Sequence, residues 1–378
     1  MQLMPMPAVF SGADAFGALD RLLHEVQAAR VFIVTGPHIA KTDGFSKVWK
    51  TAQNGRDAQV YSETKADPSI EQVTEMVEQA KAFGADAVIG MGGGSPIDSS
   101  KVVAASLTND GSVESMIGTG LVAKRCAPLF IIPTTAGTGS EVTNISILTD
   151  TREQMKKAVV SNNILPHAAL LVPELTVSMP PRITAATGMD AFCHATEAYL
   201  SVKKNPYSDA MALKALGLIF QWLEKAVHEP GNLEAREGML TASFFAGLAF
   251  TNSSVTAIHA FAYPLGGRHH VPHGMANSLM LGPVLNHNRA ANEERFANLA
   301  AAFCGVRDAA QFVPAVQALK KKIGLPMSLA EAGIPGDDLG AMADAVMTVT
   351  RLLSVNPAPI TLADAQRIYN EAYKGEQS

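Results

Sequence analysis

Four residues in the second half of the chain have the chemical types needed to hold a divalent metal ion. Asp190 and His194 stand four residues apart in the stretch TGMDAFCHATEAY, which has a helical composition. On a helix this spacing places both side chains on one face, one turn apart. His259 and His273 follow in HAFAYPLGGRHHVPHG. One carboxylate and three imidazoles form a candidate ligand set.

A second interpretation of these histidines stays open at this point. A histidine in an apolar stretch is more often a hydrogen-bonded core residue than a ligand, and the chain has ten histidines. We expect His259 to end a helical run and His273 to begin the next segment. Both stand near Gly266, Gly267 and Gly274, where the backbone can approach closely.

A glycine-rich stretch upstream has a different chemistry. Gly92, Gly93 and Gly94 follow an apolar run directly, and Ser95 and Pro96 open a predicted helix. Glycine lets the backbone approach an anion, and the N–H groups at a helix start favour a phosphate. The pattern is not the Rossmann fingerprint, because a serine occupies the place of its third glycine. A phosphate cradle and a simple chain reversal both fit.

A second polar loop follows the apolar strand LFII in the stretch PTTAGTGSEVT. Its hydroxyl side chains can hydrogen bond to phosphate and ribose; they belong to Thr134, Thr135, Thr138 and Ser140. The alternative is a turn whose hydroxyls satisfy their own backbone. Asp98 falls in the first turn of the preceding helix, where the helix dipole favours a carboxylate even without a ligand.

Composition limits the class of protein. A chain of 378 residues favours two domains, and 47% hydrophobic with 17% charged residues predicts a well-buried globular protein. The net charge of −5, without a basic run, argues against nucleic acid as a partner. The start has no signal-peptide pattern and no run is long enough to span a membrane, so we expect a cytoplasmic protein without a membrane partner. Three widely spaced cysteines fit reduced thiols.

The order of predicted elements indicates two domains. Short apolar runs alternate with amphipathic ones before Pro181, which predicts an α/β domain with a doubly wound, mostly parallel sheet. Helical patterns predominate afterwards. We therefore predict an α/β dinucleotide-binding domain over residues 1–181 and an all-helical metal-binding domain over 182–378. The predicted helices include 13–26 and 69–84, the latter with Ser69 as its N-cap, and, in the second domain, 184–201, 208–228, 232–251, 293–304, 309–324 and 361–373.

Several of these stretches resemble the signatures of one family. GMDAFCHATEAYL, HAFAYPLGG and VPHGMANSL resemble the metal-binding motifs of the iron-containing (group III) alcohol dehydrogenases, and GMGGGSPIDSSKVVA and PTTAGTGSEVT resemble their cofactor motifs. The matches cover most of residues 30–290. The resemblance implies a dehydroquinate synthase-like fold.

The resemblance also implies roles for particular residues. Asp190, His194, His259 and His273 become metal ligands and catalytic residues, for Fe(II) or alternatively Zn(II). The implied activity is hydride transfer between NAD or NADP and a small alcohol or aldehyde, by a homodimer or higher homo-oligomer. The implied cofactor-binding residues are Gly36, Gly92, Gly93, Gly94, Ser95, Asp98, Thr134, Thr135, Thr138, Ser140 and Lys157.

Two positions depart from the family pattern. Many members end the second strand with an aspartate that binds the adenosine ribose and repels a 2′-phosphate, but here Gly36 stands at that place. Cofactor choice between NAD and NADP is therefore open. Tyr263 replaces a histidine that is frequent four residues after the third ligand, so substrate preference is open as well.

Other functions use similar parts. A metal- and NAD-dependent lyase or cyclase of the dehydroquinate synthase type would need several cationic residues, and the ligand stretches carry only Arg268. A maleylacetate reductase-like enzyme would act on a carboxylated substrate. A non-catalytic nucleotide-binding module would not need four assembled ligands.

Overall fold

The chain folds into two compact units. The computed structural model describes residues 3–12, 15–153 and 155–375, and the division falls between Ser178 and Met179. Ala13, where the first predicted helix begins, lies outside the described residues; the helix itself is described from Ala15.

The first unit alternates strands and helices along most of its length. In chain order these are β1 (Ala8–Ser11), α1 (Ala15–Glu25), β2 (Arg30–Val34), α2 (Asp43–Ala52), β3 (Asp57–Tyr61), α3 (Ile70–Phe83), β4 (Ala87–Gly92), α4 (Gly94–Ser106), β5 (Gly118–Thr119), β6 (Leu129–Pro133), β7 (Ile145–Asp150), β8 (Met155–Val160) and β9 (Ala168–Leu171).

The main sheet of this unit is parallel, as the alternating pattern predicts. Among the described residues its six strands lie in the order β1-β9-β6-β4-β2-β3, and each pairing between neighbours is parallel. Parallel neighbours need long crossovers, which the intervening helices provide. Every residue of β4 is buried, as expected for a central strand covered on both faces.

Side chains of the strands alternate between two hydrophobic clusters. Phe32 and Val34 of β2 pack into one cluster, and Val31 and Ile33 pack into the other. This period of two places apolar side chains on both faces of the sheet, where the helices cover them. The predicted sheet with helices on both faces is therefore confirmed.

A smaller sheet was not predicted. β7 pairs with β8 in an antiparallel manner, and β5 adds to β8 in a parallel manner. The side chains of β7 alternate between partly buried and buried, whereas those of β8 begin exposed. Such a short, partly polar hairpin lacks the continuous apolar run that marks the central strands.

The described residues of the second unit form helices joined by loops, and no strand. Its helices are α5 (Pro181–Leu200), α6 (Pro206–His228), α7 (Leu233–Thr251), α8 (Ala257–His269), α9 (His273–Arg289), α10 (Glu293–Cys304), α11 (Ala309–Lys322), α12 (Leu339–Val346), α13 (Thr350–Leu353) and α14 (Leu362–Lys374). The six helices predicted for this half agree with the structure to within a few residues at each end.

Local capping explains several of these boundaries. The hydroxyl of Ser69 accepts a hydrogen bond from the backbone N–H of Gln72 at 3.1 Å, as predicted for an N-cap. Gly84 ends the same helix in the left-handed conformation, with φ of 69°. Asn205 caps α6 through reciprocal hydrogen bonds with Ser208.

One prediction about the second unit is wrong. His259 does not end a helical run; it is the third residue of α8. The preceding helix ends at Thr251, and Asn252 caps it. Apolar residues continue on both sides of this short polar break, so hydrophobic periodicity alone does not reveal it. His273 begins α9, as expected.

Within the described residues, no individual helix is long and apolar enough to cross a membrane, although the bent pair formed by α10 and α11 meets the length and composition criteria together.

Candidate metal centre and nucleotide-binding edge

Helix α5 provides the first two candidate ligands. Asp190 and His194 are one turn apart and buried, with 2% and 6% of their surface exposed. The Nε2 atom of His194 lies 4.0 Å from the Oδ1 atom of Asp190. The spacing of four residues on one helix therefore brings the two side chains close together.

Two other helices bring the remaining candidates to the same carboxylate oxygen. His259 Nε2 lies 4.0 Å and His273 Nε2 lies 3.6 Å from Asp190 Oδ1. Ligand atoms of Asp190, His259 and His273 are all within 4.8 Å of one another. Atoms bound to one metal at about 2.0–2.2 Å lie roughly 3.3–3.6 Å apart in a tetrahedron. The distances of 3.6 and 4.0 Å to Asp190 Oδ1 are close to this range, whereas the 4.8 Å limit for the whole group exceeds it.

His194 belongs to this cluster less closely. It reaches the shared oxygen of Asp190 but is not part of the mutually close group of three. Its ring stacks on His259, with centroids 4.8 Å apart, and on Phe250, with centroids 4.4 Å apart. These stacking contacts fix the plane of the imidazole.

The orientation of His259 depends on a residue that sequence reasoning missed. Its Nδ1 atom is hydrogen bonded to Oε2 of Glu197, which is also on α5 and 1% exposed. A carboxylate on Nδ1 leaves Nε2 free to face a metal and makes the imidazole a better donor. Glu197 lies seven residues after Asp190 on the same helix face, and that spacing was the available signal.

Glu197 also anchors the helix that carries His259. Its Oε1 atom accepts backbone N–H bonds from Thr256 at 3.0 Å and Ile258 at 2.7 Å, and a bond from the Thr256 hydroxyl at 3.0 Å. These are donors of the first turn of α8, which have no partner within the helix. A carboxylate at a helix N-terminus is further stabilised by the helix dipole.

A close helix approach positions His273. A Cβ atom at Gly274 would lie 2.2 Å from the carbonyl oxygen of Ala186 and 3.2 Å from Asp190 Cβ. Only glycine permits α9 to come this near to α5. The expected close approach is thus confirmed at Gly274, but not at Gly266 or Gly267, where an added Cβ meets no tight contact.

The electrostatics of the cluster fit a cation. Burial raises the pKa of Asp190, but the neighbouring histidines and a hydrogen bond from Asn277 outweigh burial and hold the pKa below its usual value. Burial lowers the pKa of His194 to about 4, so its ring is neutral at neutral pH, the form that binds metal. Burial lowers the pKa of His259, yet the neighbouring Glu197 outweighs burial and raises it. The donor types, their convergence and the supporting carboxylate all fit a divalent metal ion.

A tyrosine and an arginine lie beside this cluster. Tyr263 is one helical turn after His259 on α8, and its phenol interacts with Arg351 of α13. Burial raises the pKa of Tyr263, and the positive charge of Arg351 opposes that rise. The same charge acts on His259. Arg351 itself is exposed, so a cationic group is available to solvent near the ligands.

Two further histidines, His269 and His270, lie at the C-terminal end of α8. His269 Nε2 lies 2.6 Å from Asp338 Oδ2, and Arg268 forms an ion pair with the same carboxylate. His270 is exposed and ends α8 in the left-handed conformation.

In the first unit, the predicted cofactor residues gather at one edge of the main sheet. Gly36 follows β2, the three glycines begin in β4, and Thr134 follows β6. β2, β4 and β6 are adjacent, and the chain order reverses between β2 and β4 because β3 lies on the far side of β2. In open α/β sheets, ligands bind at this switch point, outside the carboxyl ends of the strands.

The two polar loops contact each other at this edge. A Cβ atom at Gly93 would lie 3.3 Å from the side chain of Thr135, and one at Gly94 would lie 3.0 Å from Thr138. The N–H of Thr134 donates to the carbonyl of Gly92 at 2.9 Å. Bare backbone at the N-terminus of α4, bordered by hydroxyl groups, is an arrangement that suits a pyrophosphate.

Asp98 and Ser140 hold these loops together. One carboxylate oxygen of Asp98 accepts the Ser140 hydroxyl, and the other accepts the backbone N–H of Ile147 at 2.8 Å. Lys101 is fully buried and donates to Ser140 at 2.8 Å and to Thr143 at 2.9 Å. Burial lowers the pKa of Lys101 to about 8. These contacts give Asp98 and Ser140 a structural role beside their predicted part in cofactor binding.

The remaining predicted cofactor residues have protein partners as well. Lys157 on β8 forms an ion pair with Glu153. The hydroxyl of Ser95 accepts the backbone N–H of Asp67 at 3.2 Å. Their roles toward a nucleotide remain predictions.

Comparison with known proteins identifies the class. Residues 184–373 match the model described as the Fe-containing alcohol dehydrogenase family, C-terminal, and residues 7–173 match the model described as iron-containing alcohol dehydrogenase. The chain belongs to the iron-containing alcohol dehydrogenase family and has its dehydroquinate synthase-like fold.

Particular relatives are similar over nearly their whole length. Long-chain-alcohol dehydrogenase 1 of Geobacillus thermodenitrificans is 38% identical over 95% of this chain and 94% of its own. A crystal structure of 1,3-propanediol oxidoreductase superposes with a TM-score of 0.95 at 31% identity, over 99% of this chain and 100% of its own. Sulfoacetaldehyde reductase from Bifidobacterium kashiwanohense, solved with NAD+, has a TM-score of 0.90 at 31% identity, over 98% and 99%.

The close approach at Gly274 leads to a prediction. We expect Gly274→Ala to push α9 away from α5, at a cost of about 1–3 kcal/mol for overpacking, and to weaken divalent metal binding at least about tenfold because His273 moves with the helix. Calorimetric titration with Zn(II) or Co(II) measures the change. Gly267→Ala is the matched control, since its added Cβ meets open space. Equal affinities in the two variants would contradict the prediction.

Proposed function

We propose that the chain is a metal-dependent, NAD(P)-linked alcohol dehydrogenase or aldehyde reductase that acts on a small alcohol or aldehyde. The observation that carries the proposal is the convergence of Asp190 with His194, His259 and His273 in a buried cluster supported by Glu197. The similar proteins are named as an alcohol dehydrogenase, a propanediol oxidoreductase and an aldehyde reductase. These names support the same reaction class.

The protein's own residues have defined parts in this proposal. When bound, the cation supplies Lewis acidity toward the substrate oxygen, and the nicotinamide supplies the hydride acceptor or donor. Asp190 contributes the single negative charge of the ligand set, so the ligands leave a net positive charge to stabilise an alkoxide. Glu197 holds His259 in the tautomer that presents Nε2. The ligand types suit Fe(II) and Zn(II) alike, and the family name favours iron.

The cofactor part of the proposal assigns the dinucleotide to the first domain, residues 1–181, and the metal to the second, residues 182–378. The switch point at the carboxyl ends of β2, β4 and β6 supports this assignment. The proposed contacts are Gly36, Gly92, Gly93, Gly94, Ser95, Asp98, Thr134, Thr135, Thr138, Ser140 and Lys157. A homodimer or higher homo-oligomer and a cytoplasmic location also remain predictions; light scattering and cell fractionation would measure them.

A substrate screen tests the proposed function directly. We expect protein reconstituted separately with Fe(II) and with Zn(II) to oxidise small alcohols or reduce aldehydes with NAD(H) or NADP(H), and metal removal by a chelator to abolish turnover. Asp190→Asn should lower turnover at least about 100-fold, because it removes the charged ligand, while calorimetry still detects dinucleotide binding. Asp344→Asn, at an exposed position of α12, is the control.

Two outcomes of this screen would contradict the proposal. Full activity of Asp190→Asn would contradict the assignment of Asp190 as a metal ligand. Turnover of a phosphorylated polyol acid without net change in NAD(H) would favour the lyase or cyclase alternative.

The proposal for the cofactor includes use of both NAD and NADP. Gly36 offers no carboxylate to repel a 2′-phosphate, and a Cβ there would meet only the carbonyl oxygen of Thr64, at an ordinary 3.5 Å. We expect Gly36→Asp to raise the ratio of kcat/KM for NAD to that for NADP about tenfold or more, by like-charge repulsion. Gly340→Asp adds the same charge at an exposed glycine with open space. An unchanged ratio would place Gly36 away from the 2′ position.

A second candidate function is reduction of an anionic aldehyde. The exposed Arg351 lies beside Tyr263, and its charge reaches His259. An arginine there suits a carboxylate or sulfonate on the substrate. The similar protein named sulfoacetaldehyde reductase supports this candidate, which the ligand stretches alone did not indicate.

This second candidate can be separated from the first by one substitution. We expect Arg351→Gln to lower kcat/KM about tenfold for an anionic aldehyde and to leave propanal reduction unchanged, because a charge-assisted hydrogen bond is worth about 1.5–3 kcal/mol. Arg268→Gln is the control, since Asp338 already neutralises that guanidinium. Equal losses for charged and neutral substrates would exclude an anion-binding role.

A further inference from the structure

Asn277 occupies a central position in the metal cluster. It lies on α9, one turn after His273, and is fully buried. Its Nδ2 atom lies 2.8 Å from Asp190 Oδ1 and 3.2 Å from the Nε2 atoms of both His259 and His273. The amide end is therefore directed at the point toward which three candidate ligand atoms converge.

The amide is poorly satisfied in this orientation. An Asn side chain has two N–H donors and one carbonyl acceptor, and its Nδ2 atom faces one carboxylate oxygen and two imidazole nitrogens of the cluster. The Oδ1 atom is buried and has no hydrogen-bond partner among the described residues. An unpaired buried carbonyl destabilises the folded protein. The nitrogen of the amide thus has an acceptor in Asp190, whereas its oxygen has no donor among the described residues.

A bound cation would favour an oxygen atom at this position over N–H groups. Amide hydrogens directed at the centre of the cluster would repel a divalent ion held by Asp190, His259 and His273. The carbonyl oxygen of an asparagine is instead an accepted ligand for divalent ions. A half-turn of the amide exchanges Nδ2 for Oδ1 at the same place, without movement of the helix.

We propose that Asn277 is an additional oxygen donor of the metal centre and presents Oδ1 to the ion bound by the aspartate and the histidines. The inference rests on the proposed function, because it assumes that this cluster binds a divalent metal. It adds an uncharged ligand to the ligand set, so the net charge of the centre is unchanged. A further oxygen donor favours ions that accept more than four ligands, such as Fe(II) and Co(II), over tetrahedral Zn(II).

Metal affinity and the visible spectrum of bound Co(II) test the proposal. Asn277→Leu replaces the amide with an apolar group of similar size. We expect it to bind Co(II) about 10- to 100-fold more weakly, the range measured when support for a metal ligand is lost, with a smaller loss for Zn(II). The Co(II) absorption should become stronger, as for lower coordination numbers. Asn277→Asp, which keeps an oxygen at this position, should retain Co(II) binding.

Controls separate the possible failures. Asn286→Ala changes an exposed asparagine of the same helix and should behave as the unmodified protein; circular dichroism checks that each variant is folded. Unchanged affinity and spectrum in Asn277→Leu would overturn the ligand role alone. Weaker binding with an unchanged Co(II) spectrum would also overturn it, since Asn277 would then only position other ligands. Absence of metal binding in the unmodified protein would overturn the proposed function itself.

Discussion

The buried carboxylate of Asp190 is the constraint on which the second unit depends. An ionised carboxylate in a protein interior costs several kcal/mol unless charges and hydrogen bonds compensate. Here three imidazole nitrogens lie 3.6–4.0 Å from a single carboxylate oxygen. They come from three different helices, and Asn277 of α9 donates a hydrogen bond to the same oxygen at 2.8 Å, so the surroundings of this one carboxylate require α5, α8 and α9 to meet. The packing of these three helices and the arrangement of the candidate ligands therefore depend on each other.

Glu197 links this centre to the backbone. One of its oxygens binds the first-turn N–H groups of α8, and the other orients His259. The same carboxylate thus stabilises the start of a helix and the donor atom carried in its first turn. Rotation of α8 would break both sets of bonds at once. This coupling explains how a candidate ligand near a helix terminus, where backbone usually frays, keeps a fixed orientation.

In the first unit the corresponding constraint is the parallel sheet. Parallel strands direct their carboxyl ends to one edge of the sheet. The chain continues from β2 to β3 on one side and from β4 to β6 on the other, so the connections diverge between β2 and β4. Bare glycine backbone and threonine hydroxyls meet at that edge. The buried Lys101, hydrogen bonded to Ser140 and Thr143, ties α4 to the second loop. Contacts within the protein thereby hold the two loops at this edge together.

The sequence by itself determined the alternation of strands and helices, the helical second half, the Ser69 cap and the four candidate ligands, because these depend on local periodicity and residue chemistry. It did not reveal that His259 lies in the first turn of a new helix, since apolar residues flank the break. It also did not reveal Glu197 or Asn277. Their roles depend on contacts between helices distant in the chain, and only the tertiary structure brings those contacts together. The close packing that singles out Gly274 from its neighbouring glycines was decided in the same way.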